Sequence, residues 1–470
     1  MGATLGDRRR ATVTALAVAA MTLVAVSLTG CSFLSGGSSD GGPDITELTQ
    51  PDTSPPPVTP IRGGTGTPSD RLAADVVHDV EAYWHLRFPP EFGRRWIPLH
   101  AFHAVDPAKP NLPPECTRRP IDMNKQALYC PAMDVIIWDR LGLVPELRAK
   151  YGNGGVLLAL AHEVGHAVQE RIGIDVGTQI RERSRYPPIL LEAMADCFAG
   201  VVVRASVNGE LAHVRIEEKD LDRALSALLS FRDPVGFELG PNAHGDAFDR
   251  ASAFLDGYQN GASRCAAMTA QNQLFTQRGF TTVQELLQSG NLPLDELLAS
   301  MVPDTQAWFT ALVSSRGRRW AAPPLRPDSG CSSSSAARQG PVRFCPDSGT
   351  LSASPATLGS VHSRGDYATG TLVASRYALA ALAALGKPVR GPDAGRAAVC
   401  LAGAYTRSLL DRNTSGFGLS PGDVDEAVDE LLNQDYAARD ATGTPPADQG
   451  FQRVGAFREG TLGGAAKCGI

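Results

Sequence analysis

Gly154-Gly155-Val156-Leu157-Leu158-Ala159-Leu160-Ala161-His162-Glu163-Val164-Gly165-His166 is the stretch on which the reading of this chain turns. Two glycines open the run and Gly173 closes it. Between them it is rich in helix formers and almost wholly apolar up to His162, which predicts a buried helix. Residues four apart on a helix lie one turn above each other on one face. His162 and His166 therefore present two imidazoles to one point, with Glu163 beside them. Burying three ionisable side chains without partners would cost several kcal/mol. A metal ion supplies the partner, and the pattern suits zinc, with the glutamate left to work on a zinc-activated water. Histidine is scarce, nine in 470 residues. At that frequency H-E-x-x-H arises by chance in roughly one such chain per hundred.

A hydrolytic zinc site needs three protein ligands and one open position. The next helical stretch, Ile189 to Gly200, is apolar except for Glu192 and Asp196, four apart on one face. One carboxylate can bind the metal, and the other can accept the free ring N–H of a ligand histidine and fix its tautomer. The alternative is an acidic first turn solvating a helix end. The Leu, Met, Ala and Phe around both acids argue against it.

H-E-V-G-H followed by E-x-x-x-D-C-x-A-G resembles the neutral zinc metallopeptidases, which are gluzincin-type enzymes. The resemblance covers roughly residues 70 to 265. It takes in Tyr129-Cys130-Pro131, the strand-like Asp134 to Asp139, His244-Gly245 and a helix ending near Cys265. It implies a zincin-like, helix-dominated α+β domain acting on proteins or peptides. By position it implies His162, His166 and Glu192 as ligands of one Zn2+ per chain, Glu163 as catalytic acid/base, and Asp196 behind a ligand histidine. One departure is Ala167, where a second histidine is expected after His166. That position is not a ligand. Amide hydrolysis needs an oxyanion donor besides zinc. His244 is the candidate, with Tyr258 behind it; the plainer reading of His244 is a loop residue beside a helix start capped by Asn242. The strand Asp134 to Trp138 is either core or a sheet edge able to pair with an extended peptide.

The chain opens with Arg8-Arg9-Arg10, an apolar run from Ala11 to Leu28, and Leu28-Thr29-Gly30-Cys31. This reads as a signal peptide over 1–30. Its end resembles a bacterial lipobox, which implies acylation of Cys31 and attachment to the outer face of the cytoplasmic membrane; more than one buried acyl chain makes such attachment lasting. A simple transmembrane anchor is the alternative, disfavoured by the Ala and Thr throughout the run. The arginines leave Sec and twin-arginine export both open. Residues 31–68 are dense in Ser, Gly, Pro, Thr and Asp, which predicts a disordered tether. Losing residues 1–30 moves the formal charge from −6 to −6 − 3 + 1 = −8. An acidic chain without a basic block argues against nucleic acid as a partner.

The cysteines predict more than one domain. Cys116 and Cys130 are 14 apart, as are Cys331 and Cys345; Cys197 and Cys265 are 68 apart, as are Cys400 and Cys468. Gly93-Arg94-Arg95-Trp96 recurs as Gly317-Arg318-Arg319-Trp320, and Cys197-Phe198-Ala199-Gly200 as Cys400-Leu401-Ala402-Gly403. Matched quartets suggest an internal duplication. The expected division is a zinc metallopeptidase domain over 69–275 and a degenerate, metal-free copy over 276–470. In that copy Ser375, Arg376 and Leu379 stand opposite His162, Glu163 and His166, and Gly395 and Val399 opposite Glu192 and Asp196. Leu379 and Val399 suggest a site refilled with hydrocarbon. The spacings and the resemblance together give the bridges Cys116–Cys130, Cys197–Cys265, Cys331–Cys345 and Cys400–Cys468, which export permits. Two functions fit: a membrane-tethered zinc peptidase of the cell envelope, or a non-catalytic envelope scaffold that keeps a zinc site and binds other envelope proteins through the degenerate copy.

Overall fold

The computed structural model describes residues 54–470 except 57, 65, 110–115, 118, 238–239, 241–242, 328–336 and 413–415. The expected leader, Cys31, most of the tether, Asn242 and Cys331 lie outside these residues. Among the described residues no helix is long and apolar enough to cross a membrane. The fold is helix-dominated α+β.

The first long helix, α1 (Pro68–Phe92), starts at a capping box between Thr67 and Asp70. It buries Trp84 and Phe88, and Trp84 packs edge-on against Phe198. Strand β1 (Ile61–Arg62) precedes this helix, and β2 (Ala101–Val105), β3 (Ala127–Cys130) and β4 (Val135–Asp139) follow. Their order is β1-β2-β4-β3, with β2 parallel and β3 antiparallel to β4. Strand β4 is thus flanked on both sides, as its five buried residues require. It is not an edge; β3 is.

Helix α2 (Leu143–Arg171), which carries His162 and His166, is broken at Gly152, whose φ of 71° and ψ of −163° only glycine adopts easily. Gly154 and Gly155, expected to open the helix, lie within it. They let α5 (Leu221–Leu229) approach: a Cβ on Gly154 would sit 3.1 Å from Ala224 Cβ, and one on Gly155 3.3 Å from Ala227 Cβ. After the short α3 (Val176–Arg181), α4 (Pro188–Val207) crosses α6 (Ala247–Asn260) in near-backbone contact. A Cβ on Gly257 would lie 1.7 Å from Cys197 O. The bridge Cys197–Cys265 pins this crossing, with Cys265 on α7 (Ala262–Ala266). Cys116–Cys130 is formed as well. Helix α6 is capped by Asp246, which accepts from Asp249 N–H, rather than by Asn242.

Beyond α8 (Val283–Gln288) the element sequence recurs. Helix α9 (Leu294–Ser315) precedes β5 (Leu325–Pro327), β6 (Val342–Cys345) and β7 (Thr350–Ala353), ordered β5-β7-β6 with the same parallel and antiparallel pairings. Then come α10 (Pro355–His362), α11 (Asp366–Ala384), α12 (Pro392–Leu410), α13 (Asp423–Asn433) and α14 (Gly450–Gly463). Helix α12 crosses α14 as α4 crosses α6: a Cβ on Gly460 would lie 1.8 Å from Cys400 O, and Cys400–Cys468 pins the pair. Helices α6 and α14 have the displacement that separates Cys197 from Cys400, 203 residues. Cys345 is disulfide-bonded too.

The halves share one core. Phe248 packs edge-on against Phe457. Asp222 accepts from the N–H groups of Gly450 and Phe451 at the start of α14, while Asp425 accepts from Phe248 N–H at the start of α6.

Candidate metal centre

Helix α2 carries His162 and His166 on the face it turns toward α4, which carries Glu192 and Asp196 one turn apart. Gly165 sits where the helices touch; a Cβ there would lie 2.9 Å from Ala195 O. His162 Nε2 is 3.3 Å from Glu192 Oε2, and His166 Nε2 is 3.6 Å from Glu192 Oε1. Donors about 2.1 Å from one tetrahedral ion stand about 3.4 Å apart. The three side chains therefore fit a single zinc ion, and their atoms form one of the two metal-competent clusters among the described residues.

Asp196, fully buried, accepts from His162 Nδ1 at 2.7 Å, which leaves Nε2 of that ring to face the cluster. The same Oδ1 accepts from Arg250 Nη2 at 2.8 Å, and Arg250 Nη1 donates to Phe231 O. Nothing in the sequence pointed to Arg250, which arrives from α6. Gln169 Oε1 meets His166 Nδ1 at 3.3 Å. Burial would push the His162 imidazole down, but Asp196 and Glu192 outweigh it and hold it up at about 10. Burial would raise Glu192, yet His166, His162 and Arg250 hold it well below the usual carboxylate range. The two acids thus focus negative potential on the imidazole pair, a field that a dication satisfies in place of a proton.

The cluster opens into a cleft of about 710 Å³, a size suited to a peptide segment. Glu163 lines it, with Oε2 accepting from Tyr129 N–H on β3 at 2.7 Å. Gln126 to Tyr129 form one wall. His244 lines the other side, its ring Nδ1 and backbone N–H both on Asp233. Asp233 is a second residue the sequence did not signal. Tyr258, expected behind His244, is absent from the cleft: its ring stacks on Phe254 and lies under Arg204.

Two imidazoles one helical turn apart, a carboxylate from the next helix and an adjacent acid in the same cleft form the donor pattern of H-E-x-x-H zinc sites. Residues 122–285 match the family profile described as "Putative neutral zinc metallopeptidase". Two curated relatives, both called "Uncharacterized protein YpfJ", come from Escherichia coli strains K12 and O6:H1 (CFT073). Each is 29% identical over 154 residues, covering 28% of this chain and 50% of its own length. The chain thus spans about half the length of these relatives. No solved structure matches it.

Proposed function

We propose that the chain is a zinc-dependent peptidase that hydrolyses peptide bonds in protein or peptide substrates. The observation that carries this is Glu163 standing in one cleft with the His162, His166 and Glu192 donor set. Zinc, one per chain, would supply Lewis acidity toward the scissile carbonyl and lower the pKa of a water. Glu163 is the general acid/base. Tyr129 N–H fixes its Oε2, and Oε1 takes the water's proton and delivers it to the leaving amine. His244, whose Nδ1–H is held by Asp233, serves as the oxyanion donor through Nε2–H in its imidazolium form. The free edge of β3 accepts the substrate as an added strand beside Glu163.

The location proposed is the envelope, on a lipid attached to Cys31; the disulfides of the folded part support an exported protein. The C-terminal half is proposed to be a degenerate, metal-free copy. Its recurring strand order, disulfide and helix crossing support that reading.

The test is casein hydrolysis by the wild type and Glu163→Gln, with zinc measured in both. A loss of about 10²- to 10⁴-fold at unchanged zinc content is expected. Equal activity would remove the mechanism, and inactivity of both would turn the reading to an envelope scaffold.

A further inference from the structure

A second cluster lies far along the chain from the zinc ligands. Asp366 opens α11, and Asp423 and Glu426 lie in the first turn of α13. One carboxylate oxygen from each falls within 4.8 Å of one from the others. Each acid spends one oxygen on a backbone amide: Asp366 Oδ2 on Leu292 N–H, Asp423 Oδ2 on Ser420 N–H, Glu426 Oε2 on Tyr367 N–H. These anchors fix the side chains without neutralising them. Asp366 and Asp423 are 2% and 3% exposed, and the Oδ1 atom of each is buried with no hydrogen-bond donor. A buried, unpartnered carboxylate oxygen is among the costliest groups a protein can keep.

No Lys or Arg among the described residues forms an ion pair with any of the three. The nearest positive groups act at a distance: His362 on Asp366, and Arg278 on Asp423. Arg278 is committed to Leu419 O, and Arg364 to Glu430. At the corresponding place of the first half, Arg223 stands where the second half has Glu426, and it pairs with Asp220, the counterpart of Asp423. Asn153 stands opposite Asp366, one residue past Gly152 as Asp366 is one past Gly365. One half therefore carries its own cation here, and the other has exchanged it for a third acid.

We propose that Asp366, Asp423 and Glu426 bind a hard divalent cation of the calcium type, which joins the N-termini of α11 and α13 to the segment at Leu292 that links the halves. The donors are all oxygen, which suits calcium, with water completing its shell, and disfavours zinc. Desolvation raises all three carboxylates; Asp366 raises Asp423 and Glu426 further, and Glu426 raises Asp423, while a side-chain hydrogen bond to Glu426 lowers Asp366.

The test uses the full chain saturated with zinc and titrated with CaCl2 by calorimetry, alongside thermal melts. The wild type is expected to take up one Ca2+ and to melt about 3 °C higher at a hundredfold excess over Kd. Asp423→Asn and Glu426→Gln are expected to lose both responses and to keep their zinc. Absence of calcium uptake by the wild type, or uptake unchanged in the two variants, overturns the proposal. Should a variant not fold, Tb3+ luminescence of the wild type, sensitised by neighbouring Tyr367 and displaced by Ca2+, decides it; a lack of signal counts against. None of these readouts depends on hydrolysis, so failure here leaves the peptidase reading untouched.

Discussion

Helix α2 beyond its break and helix α11 hold the same place in their halves, each entered by a glycine in the left-handed region, Gly152 and Gly365. One presents His162, Glu163 and His166 to a cleft; the other buries Ser375, Arg376 and Leu379. The second interior is not refilled with hydrocarbon alone. Leu379 and Val399 are buried as expected, but Arg376 stands at the position aligned with Glu163. Its guanidinium donates to Gln339 Oε1 at 3.2 Å, Tyr436 O at 2.7 Å and Ala437 O at 2.9 Å. Burial pushes it down to about 9. Phe344 N–H turns to Gln339, where Tyr129 N–H turns to Glu163. Arg250 and Arg453, also equivalent in position, carry the lesson further. Burial lowers both, but Asp196 raises Arg250 above its ordinary value, while Arg453, on the carbonyls of Leu431, Leu432 and Asp448, stays below it. The two helical frames are alike in strand order and helix crossing, while only the first brings His162, His166 and Glu192 together.

The sharpest way to break this contrast is chemical. Glu163→Gln should lower peptide hydrolysis by about 10²- to 10⁴-fold, whereas Arg376→Gln should change it less than about twofold per folded molecule, since Arg376 does not line the cleft. Metal analysis should find one zinc per chain, removed by a chelator with loss of activity. Two zinc ions would refute a metal-free second half.

Much of this was legible in the sequence, for a definite reason. The site is built from helical spacings, four residues from His162 to His166 and four from Glu192 to Asp196, and the helix period turns spacing directly into geometry. Three of the four expected bridges, Cys116–Cys130, Cys197–Cys265 and Cys400–Cys468, were legible from the repeated spacings together with the family resemblance. What could not be read arrives by tertiary approach: Arg250 from α6, Asp233 beneath His244, and the Tyr129 amide on Glu163. Sheet order was equally hidden. An apolar strand such as Val135–Asp139 looks alike at an edge or inside, and only the arrival of β2 on its far side makes it internal. Tyr258 misled because α6 turns it toward Arg204 rather than the cleft.

Removing one bridge from each half should show how far the frames match. Cys197–Cys265 and Cys400–Cys468 both span 68 residues with Cα atoms 5.5 Å apart. Chain-entropy reasoning gives about 4 kcal/mol for a loop of that size. Cys265→Ser and Cys468→Ser, each with its partner cysteine also changed, should lower stability by similar amounts in denaturant unfolding. A large inequality would mean that the two crossings are not held alike.

A smaller effect is expected from the crossings themselves. Gly257→Ala and Gly460→Ala each force a methyl onto a carbonyl, that of Cys197 or of Cys400. The helices must separate, at roughly 1–3 kcal/mol each. Thermal melts of the two variants should fall together.

The smallest effect lies where the halves exchange helix caps, and there the symmetry should fail. Asp222 accepts two amides of α14 at 2.8 Å, a good N-terminal arrangement, so Asp222→Ala should cost about 1 kcal/mol. Asp425 accepts one amide of α6 at 3.3 Å, and burial and the neighbouring Asp246 raise its carboxyl well above the ordinary range. Asp249 and Asp429 add to that repulsion, while Arg232 opposes it. An acid whose folded pKa is raised binds more protons folded than unfolded, so its contribution to stability falls as pH rises past the ordinary carboxylate pKa. Asp425→Ala should therefore cost less than Asp222→Ala at pH 7 and should flatten the decline of stability between about pH 4 and 7. Equal costs for the two variants at pH 7, with parallel pH profiles, would show that the two caps are alike after all.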